Sequence, residues 1–213
     1  MAVRATSRRE RLIDAAFELF SRQGFHGVGL DRILADAGVS KQTFYNHFES
    51  KEDLMLAVLH HRSRYDIDMF EQSLRQHGGL DPAARLYALW DVLDEWFNHD
   101  EFRGCIFLTA AVEFPSVNEP AHQVASAHCH ALQDMFLELG TLAGAEDPQT
   151  LAENLMVLMD GDLVVRHVMG NLNAAHISRR NAEMLLNHHL PEKKPAPVTK
   201  KRADRRREVV LTR

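Results

Sequence analysis

Apolar residues recur three and four positions apart along most of the chain, and this spacing is its strongest constraint on folding. No segment alternates apolar and polar residues in the manner of a strand bounded by turn signals. Helix stop and start signals cut the pattern into pieces. A first stripe, from about residues 7 to 22, holds Leu12, Ile13, Ala16, Phe17, Leu19 and Phe20 and ends before Gly24. Leu30, Ile33, Leu34 and Ala37 make a short second helix that stops at Gly38. Ser50 opens a fourth, which ends at Gly78-Gly79. Asp81-Pro82, Asn118-Glu119-Pro120 and Asp147-Pro148 open others, since proline at the first helical position gives up an N–H that has no partner there. Leu86, Leu89, Trp90, Leu93 and Phe97 stripe the first of these. A helix from about Phe102 to Glu113 closes at Phe114-Pro115, one ends near Gly140 to Gly144, one reaches roughly Gly170, and the last covers about Ala174 to His189.

Between the second and fourth helices the chain is most specific. Gly38 makes a turn, Ser40 caps a third helix, and that helix has two apolar positions four apart, Phe44 and Phe48. Its other positions are Lys41, Gln42, Thr43, Tyr45, Asn46 and His47, a hydrogen-bonding face for which a protein core has no use. A helix lying in the major groove of DNA does have a use for it. A Gln42 amide donates and accepts at once, which suits adenine N6 and N7, and Thr43 suits a base edge or a thymine methyl. Lys41 suits guanine or a phosphate, while Tyr45, His47 and Lys51 suit phosphates at the rim. Arg4, Arg8 and Arg9 are placed to follow the backbone or enter a minor groove. The bland alternative is that Tyr45 and His47 complete the packing of a small bundle. The fold class is therefore all-α, with an N-terminal three-helix helix-turn-helix domain and a larger helical domain. The expected division is 1–50 for DNA binding, 51–190 for regulation, and 191–213 for a basic, disordered tail rich in proline, lysine and arginine.

Charge supports this division. Residues 1–64 carry a net +2, residues 65–190 a net −13 and residues 191–213 a net +6. An acidic middle repels phosphates, so DNA contact is expected from the ends. The tail has two readings, a solubilising extension or a source of sequence-independent DNA affinity. No apolar run approaches the roughly 20 residues of a membrane span, and the start is polar and basic, so a soluble, cytoplasmic protein is expected without a membrane partner. Cys105 and Cys129 form no Cys-x-x-Cys and are expected as thiols.

Three stretches of the N-terminal region resemble the DNA-binding domain of TetR/AcrR-type transcriptional regulators. They are RLIDAAFELF from Arg11 to Phe20 with Gly24-Phe25, ILADAGVSKQTFYNHF from Ile33 to Phe48, and SKEDL from Ser50 to Leu54. The likeness covers about residues 9 to 59 without gaps. It implies an all-α homodimer whose larger helical C-terminal domain is a ligand-binding and dimerisation domain that takes an inducer, and whose commonest activity is repression. It supports Ser40, Lys41, Gln42, Thr43, Tyr45, His47 and Lys51 as the DNA-facing set. Two positions depart from the pattern. A Thr or Ser near position 29 is usual, but Val28 and Gly29 stand here, so a glycine cap offers only its backbone. Gln42 occupies a position that is often glycine, which implies a different base preference.

Residues 102–115, FRGCIFLTAAVEFP, resemble a subset of that family in which a Gly-Cys pair opens the sixth helix. Cys105, Thr109, Val112 and Glu113 share one face by helical spacing. Cys105 has two readings: a thiolate sensing electrophiles or oxidants, with Arg103 lowering its pKa, or a small buried thiol packing as a hydrophobe. Glu113 is either a pocket carboxylate or a solvated helix end. Trp90, Leu93, Phe97, Cys105, Phe107, Thr109, Glu113 and Phe136 are the candidate inducer pocket, with plain core as the alternative. His122, His128, Cys129 and His130 cluster on one helix, yet His-x-x-x-His and His-Glu-x-x-His are absent, so neither a metal nor a cofactor is expected.

In the eighth helix Leu151, Leu155, Leu158, Asp162, Val165, Met169 and Leu172 step by four and three, and Met156, Met159 and Leu163 mark a second face. A helix apolar on two sides needs two partners, its own core and the same helix, with the ninth, of a second subunit, in a four-helix interface. The expected interface is Leu155, Leu158, Asp162, Val165, Arg166 and Met169, with Arg166 pairing Asp162. The alternative covers both faces within one subunit.

The function expected is a homodimeric repressor that a small-molecule inducer releases from a palindromic operator in double-stranded DNA. A redox-sensing regulator acting through Cys105 is the alternative. An enzyme is not expected, because no glycine-rich phosphate loop, Gly-x-Ser-x-Gly or metal motif is present. A helical adaptor would leave the polar face of residues 41–47 unexplained.

Overall fold

Side-chain caps explain where most of the helices begin. In the computed structural model, which describes residues 7–191, the Ser7 hydroxyl accepts the Glu10 N–H (3.2 Å) and the Glu10 carboxylate accepts the Ser7 N–H (2.7 Å), a full capping box for α1 (Arg8–Gln23). Arg4 and residues 192–213, hence nearly all of the expected tail, lie outside the described residues. α2 (Leu30–Ala37) starts at Gly29 with no side-chain cap. Ser40 caps α3 (Lys41–Tyr45) and Ser50 caps α4 (Lys51–Gly78). Asp81 caps α5 (Pro82–Phe97) and Asp147 caps α8 (Pro148–Met169), each with proline in the first turn. α7 (Pro120–Leu142) also opens on proline, and α6 (Ile106–Glu113) and α9 (Ala174–His189) complete the described helices.

α6 is shorter than its sequence suggests. Gly104 has φ +86, a left-handed conformation that cannot continue a helix, and Cys105 is extended as the N-cap. α8 likewise ends at Met169, with Gly170 left-handed, so Leu172 falls in the following turn and is exposed.

Two cores divide the buried residues. The first joins α1, α2 and α3 to the start of α4 through Leu54, Met55, Val58 and Leu59, and adds Ile106, Phe107 and Ala110 of α6 with Ala121, Val124 and Ala125 of α7. The core of the N-terminal unit thus runs past the expected boundary at residue 50. The second core gathers α5, α7, α8, α9 and the far end of α4 around Trp90, Phe97 and Phe136. α4 has 28 residues and so reaches about 42 Å, passing from one core to the other. Between Leu59 and Leu74 it buries no residue fully. Cys105 packs against both cores.

The expected seam on α8 needs correction. Leu155 is fully buried and Asp162 is 6% exposed, both inside the second core of their own subunit. Asp162 accepts Nε1–H of Trp90 (3.0 Å) and the hydroxyl of Ser178, while Arg166 donates to the Phe97 carbonyl (2.9 Å) instead of pairing with Asp162. Leu158 and Val165 are half-buried against that core. The second face, Met156, Met159 and Leu163, is buried in it as well. The face left uncovered is one step round the helix: Val157, Gly161, Val164 and Val168, four and three residues apart, with Met169 exposed beside it. Periodicity alone does not distinguish these stripes, because valines stand on one and leucines on the other.

Candidate nucleic-acid interface

Five residues are too few to hold a helix by backbone hydrogen bonds alone, so α3 depends on its anchors and its turn. Phe44 is fully buried and Phe48 is 3% exposed, their rings 5.7 Å apart in the first core. Arg9 places its guanidinium over the Phe48 ring, 5.2 Å from the centroid. The turn before α3 is a Schellman motif: Val39 N–H donates to Leu34 O (3.0 Å), Gly38 N–H to Ala35 O (3.1 Å), and Gly38 has φ +60. Arg11 closes it from α1, donating from Nε to Ala37 O (3.0 Å) and from Nη2 to Ala37 O and Gly38 O (2.9 Å). A Cβ at Gly38 would lie 2.8 Å from that Nη2. Arg11 was not foreseen as a structural residue of the turn. It stands 26 residues from the carbonyl it caps, and no local signal announces such a contact.

The Ser40 hydroxyl accepts the Thr43 N–H (3.2 Å) and lies 2.9 Å from the Thr43 hydroxyl. Lys41, Gln42, Asn46 and His47 are exposed, and Thr43 is half-buried. Tyr45 is 53% exposed, with its ring edge-on to Phe44. Exposure of Tyr45 and His47 removes the reading in which they finish the bundle. α3 therefore turns a row of polar side chains outward from an aromatic base. Lys51 also has a partner within the chain. Its ammonium donates to the Phe25 carbonyl at 2.7 Å, strapping the turn between α1 and α2.

The eight expected pocket residues do not surround one cavity. Trp90, Leu93, Phe97 and Phe136 are close-packed in the second core, each at most 2% exposed, and Trp90 also borders a groove of about 380 Å³ between α5 and α9. Phe107 belongs to the first core, where its ring stacks on His128 at 3.7 Å. The Thr109 hydroxyl bonds the Cys105 carbonyl one turn back (3.2 Å). Glu113 faces away from both cores toward the α1–α2 turn. Its Oε1 accepts Phe25 N–H (2.9 Å), and its Oε2 accepts His26 N–H (2.8 Å) and lies 2.6 Å from His26 Nδ1. Partial burial opposes its charge, but the backbone N–H groups of His26 and Phe25, aided by the His26 side chain, outweigh burial and hold its pKa below the ordinary value.

Burial pushes the Cys105 thiol up to about 11, which leaves little thiolate near neutrality. Arg103 turns to the carbonyls of Asp100 and Phe102 (3.1 Å each). These two observations favour the packing role over the sensing role. The four residues of the His/Cys cluster go separate ways. His122 bonds the Phe114 carbonyl, and His130 lies 3.5 Å from Ser126 Oγ. His128 is buried against Phe107, with its pKa lowered to about 4 by desolvation. Cys129 is exposed. Among the described residues no three His, Cys, Asp or Glu side chains converge as a metal site, and no helix is long and apolar enough to cross a membrane.

Comparison with known proteins agrees with this architecture. Residues 12–58 match the family described as bacterial regulatory proteins, tetR family. The HTH-type transcriptional regulator YjdC of Escherichia coli is 23% identical over 171 residues, 79% of this chain and 89% of that protein. The HTH-type transcriptional repressor NemR of Escherichia coli is 31% identical over 113 residues, 52% of this chain and 56% of that protein. The crystal structure of a TetR-family transcriptional regulator from Streptomyces coelicolor superposes with a TM-score of 0.77 at 29% identity, covering 84% of this chain and 94% of that one. The matched segment spans the capped turn, the outward-facing α3 and the start of α4, and the structural likeness extends through the larger helical part. Residues 12–58 carry the DNA-binding segment of the tetR family, and the chain as a whole has the fold of TetR-family transcriptional regulators, as expected of a DNA-binding regulator.

Proposed function

We propose that the protein is a homodimeric repressor, that α3 reads a palindromic operator, and that a small molecule releases it. The observation that carries the reading is the outward polar face of α3 on a fully buried aromatic base. Lys41, Gln42, Thr43, Tyr45, Asn46 and His47 are its DNA-facing side chains, with Ser40 as cap and Lys51 holding the turn behind them. Repression asks only that a duplex be occupied, whereas activation needs a further contact with the transcription machinery.

A second copy is supported by the stripe of Val157, Gly161, Val164 and Val168 on α8 and by exposed Ile177 and Met184 on α9. A Cβ at Gly161 would meet nothing within 4 Å in its own chain, so a partner helix has room to approach there. Uptake of a small molecule is supported by the middle of α4, where the ion pair of Arg62 and Asp66 is half-buried between the cores. There burial raises Asp66 to about 6 despite the adjacent Arg62. The domains proposed are a DNA-binding head continuing into α4 and a regulatory body extending to about residue 190.

Selection of bound duplexes from random sequence tests the DNA reading. A recovered palindrome bound in a salt-sensitive manner is expected, and failure to enrich any sequence would refute it. Gln42→Ala is expected to cost about 1–3 kcal/mol against the selected duplex and to relax preference at one base pair per half-site. Equal loss across all sequences would move Gln42 to the backbone-contacting set. In sedimentation the wild-type chain is expected as a dimer, and Val164→Asp as a folded monomer. A stable wild-type monomer would defeat the dimer.

A further inference from the structure

Glu113 is the last residue of α6, yet its carboxylate belongs to the DNA-binding head. It is 20% exposed and takes both backbone N–H groups of Phe25 and His26. The geometry around it is closely fitted. Gly24 has φ +74, and a Cβ there would collide with Glu113 Oε1, so only glycine lets the carboxylate come this close. The adjacent Phe114 ring stands 4.9 Å from the His26 ring and 5.8 Å from Phe25. From the other side Lys51 holds the Phe25 carbonyl. The α1–α2 turn is thus gripped by α4 on its carbonyl side and by α6 on its amide side.

This grip sets the position of the next two helices. α2 begins at Gly29 without a side-chain cap, so its start is fixed by the turn upstream, where Phe25 and Val28 are buried. α2 then places α3 through the Gly38 turn. At its opposite end α6 is preceded by Gly104, whose Cβ would lie 2.6 Å from the His167 ring of α8. α6 therefore runs from a contact with the regulatory helix α8 to the turn that orients the DNA-reading helix.

We propose that Glu113 is a positioning residue for DNA binding: its carboxylate holds the α1–α2 turn, and displacement of α6 reaches α3 through that hold. The proposal rests on the DNA-binding reading of α3, and the two fail separately. If the wild-type chain selects no duplex, the DNA-binding reading fails before any variant is made.

With the selected duplex in hand, Glu113→Ala is expected to speed amide exchange at Phe25 and His26, to keep a cooperative thermal transition, and to weaken binding about tenfold, within the usual range of coupling between sites. Glu113→Gln keeps one acceptor oxygen and is expected to lie between. Gly104→Ala, which pushes the start of α6 against His167, supplies the second readout. Its effect on affinity in the wild-type background is expected to shrink to less than about twofold in the Glu113→Ala background, because neighbouring parts of one network do not act additively. Wild-type affinity in a Glu113→Ala chain with faster Phe25 and His26 exchange overturns the proposal. So does a Gly104→Ala effect equal in both backgrounds, which would route coupling through the packing of Ile106, Phe107 and Ala110. If Glu113→Ala does not unfold cooperatively, Glu113→Gln in the same two assays decides.

Discussion

Phe44→Ala is expected to remove DNA binding altogether while leaving the larger helical body folded. The ring is fully buried and touches Tyr45 and Phe48 in the first core. Truncating a buried Phe costs about 3–5 kcal/mol, through lost transfer energy and the cavity left behind. In a long helix that loss is shared, but α3 has five residues, and a segment so short has little stability apart from its packing. The loss therefore falls on the element that carries Lys41, Gln42 and Thr43. Amide exchange is expected to rise through residues 39–48 first, with the second core around Trp90 and Phe136 still protected. Retention of specific DNA binding by a folded Phe44→Ala protein would mean that the polar residues are held by something other than this anchor. Phe44→Leu, which keeps most of the apolar volume, is expected to recover part of both stability and binding.

Trp90→Ala is expected to be comparably damaging at the other end of the molecule. Trp90 is 2% exposed, and its indole N–H donates to Asp162 (3.0 Å) and Ser178 (2.6 Å). Loss of the ring costs about 3–5 kcal/mol, and loss of the donor leaves a buried carboxylate short of a partner. Trp90→Phe separates the two effects. It keeps an aromatic ring and removes the N–H, for an expected cost of about 1–3 kcal/mol. The pH dependence has a definite sign. Burial raises the pKa of Asp162, and the bonds from Ser178 and Trp90 oppose that rise. A carboxyl with a raised folded-state pKa binds its proton more tightly folded than unfolded, so stability falls as pH climbs from the ordinary carboxylate range through the folded value. Removing the Trp90 donor raises that value further. The deficit of Trp90→Phe against wild type is therefore expected to be larger near neutral pH than in mild acid, measured by denaturant unfolding. A deficit independent of pH would show that the N–H does not act through Asp162.

Legibility differed by element for identifiable reasons. Ser40, Ser50, Asp81 and Asp147 announced helix starts because an N-cap is a contact between residues two or three apart. Gly38 and Gly170 announced helix ends because a left-handed residue after a helix favours glycine. The outward face of α3 was equally readable, since polar residues beside Phe44 and Phe48 leave one way to orient the helix. On the eighth helix the uncovered stripe lies one step from the leucine series. Leucines and valines are both apolar, and which stripe is buried depends on how α5, α7 and α9 pack around it. The expected pocket failed for the same reason. Trp90, Leu93 and Phe97 share a stripe, but Phe107 and Glu113 are drawn to another core and another contact.

The amino-acid order alone determines the all-α class, the helix-turn-helix and the outward polar face of α3, because caps, turns and periodicity act between residues close in sequence. Only the tertiary structure assigns Arg11 to the Ala37 and Gly38 carbonyls, Lys51 to Phe25, Glu113 to the α1–α2 turn and Asp162 to Trp90. Each of these joins residues at least 26 apart in the chain. Charge and hydrogen-bonding capacity say that such a group needs a partner; which partner it finds is decided when the helices pack.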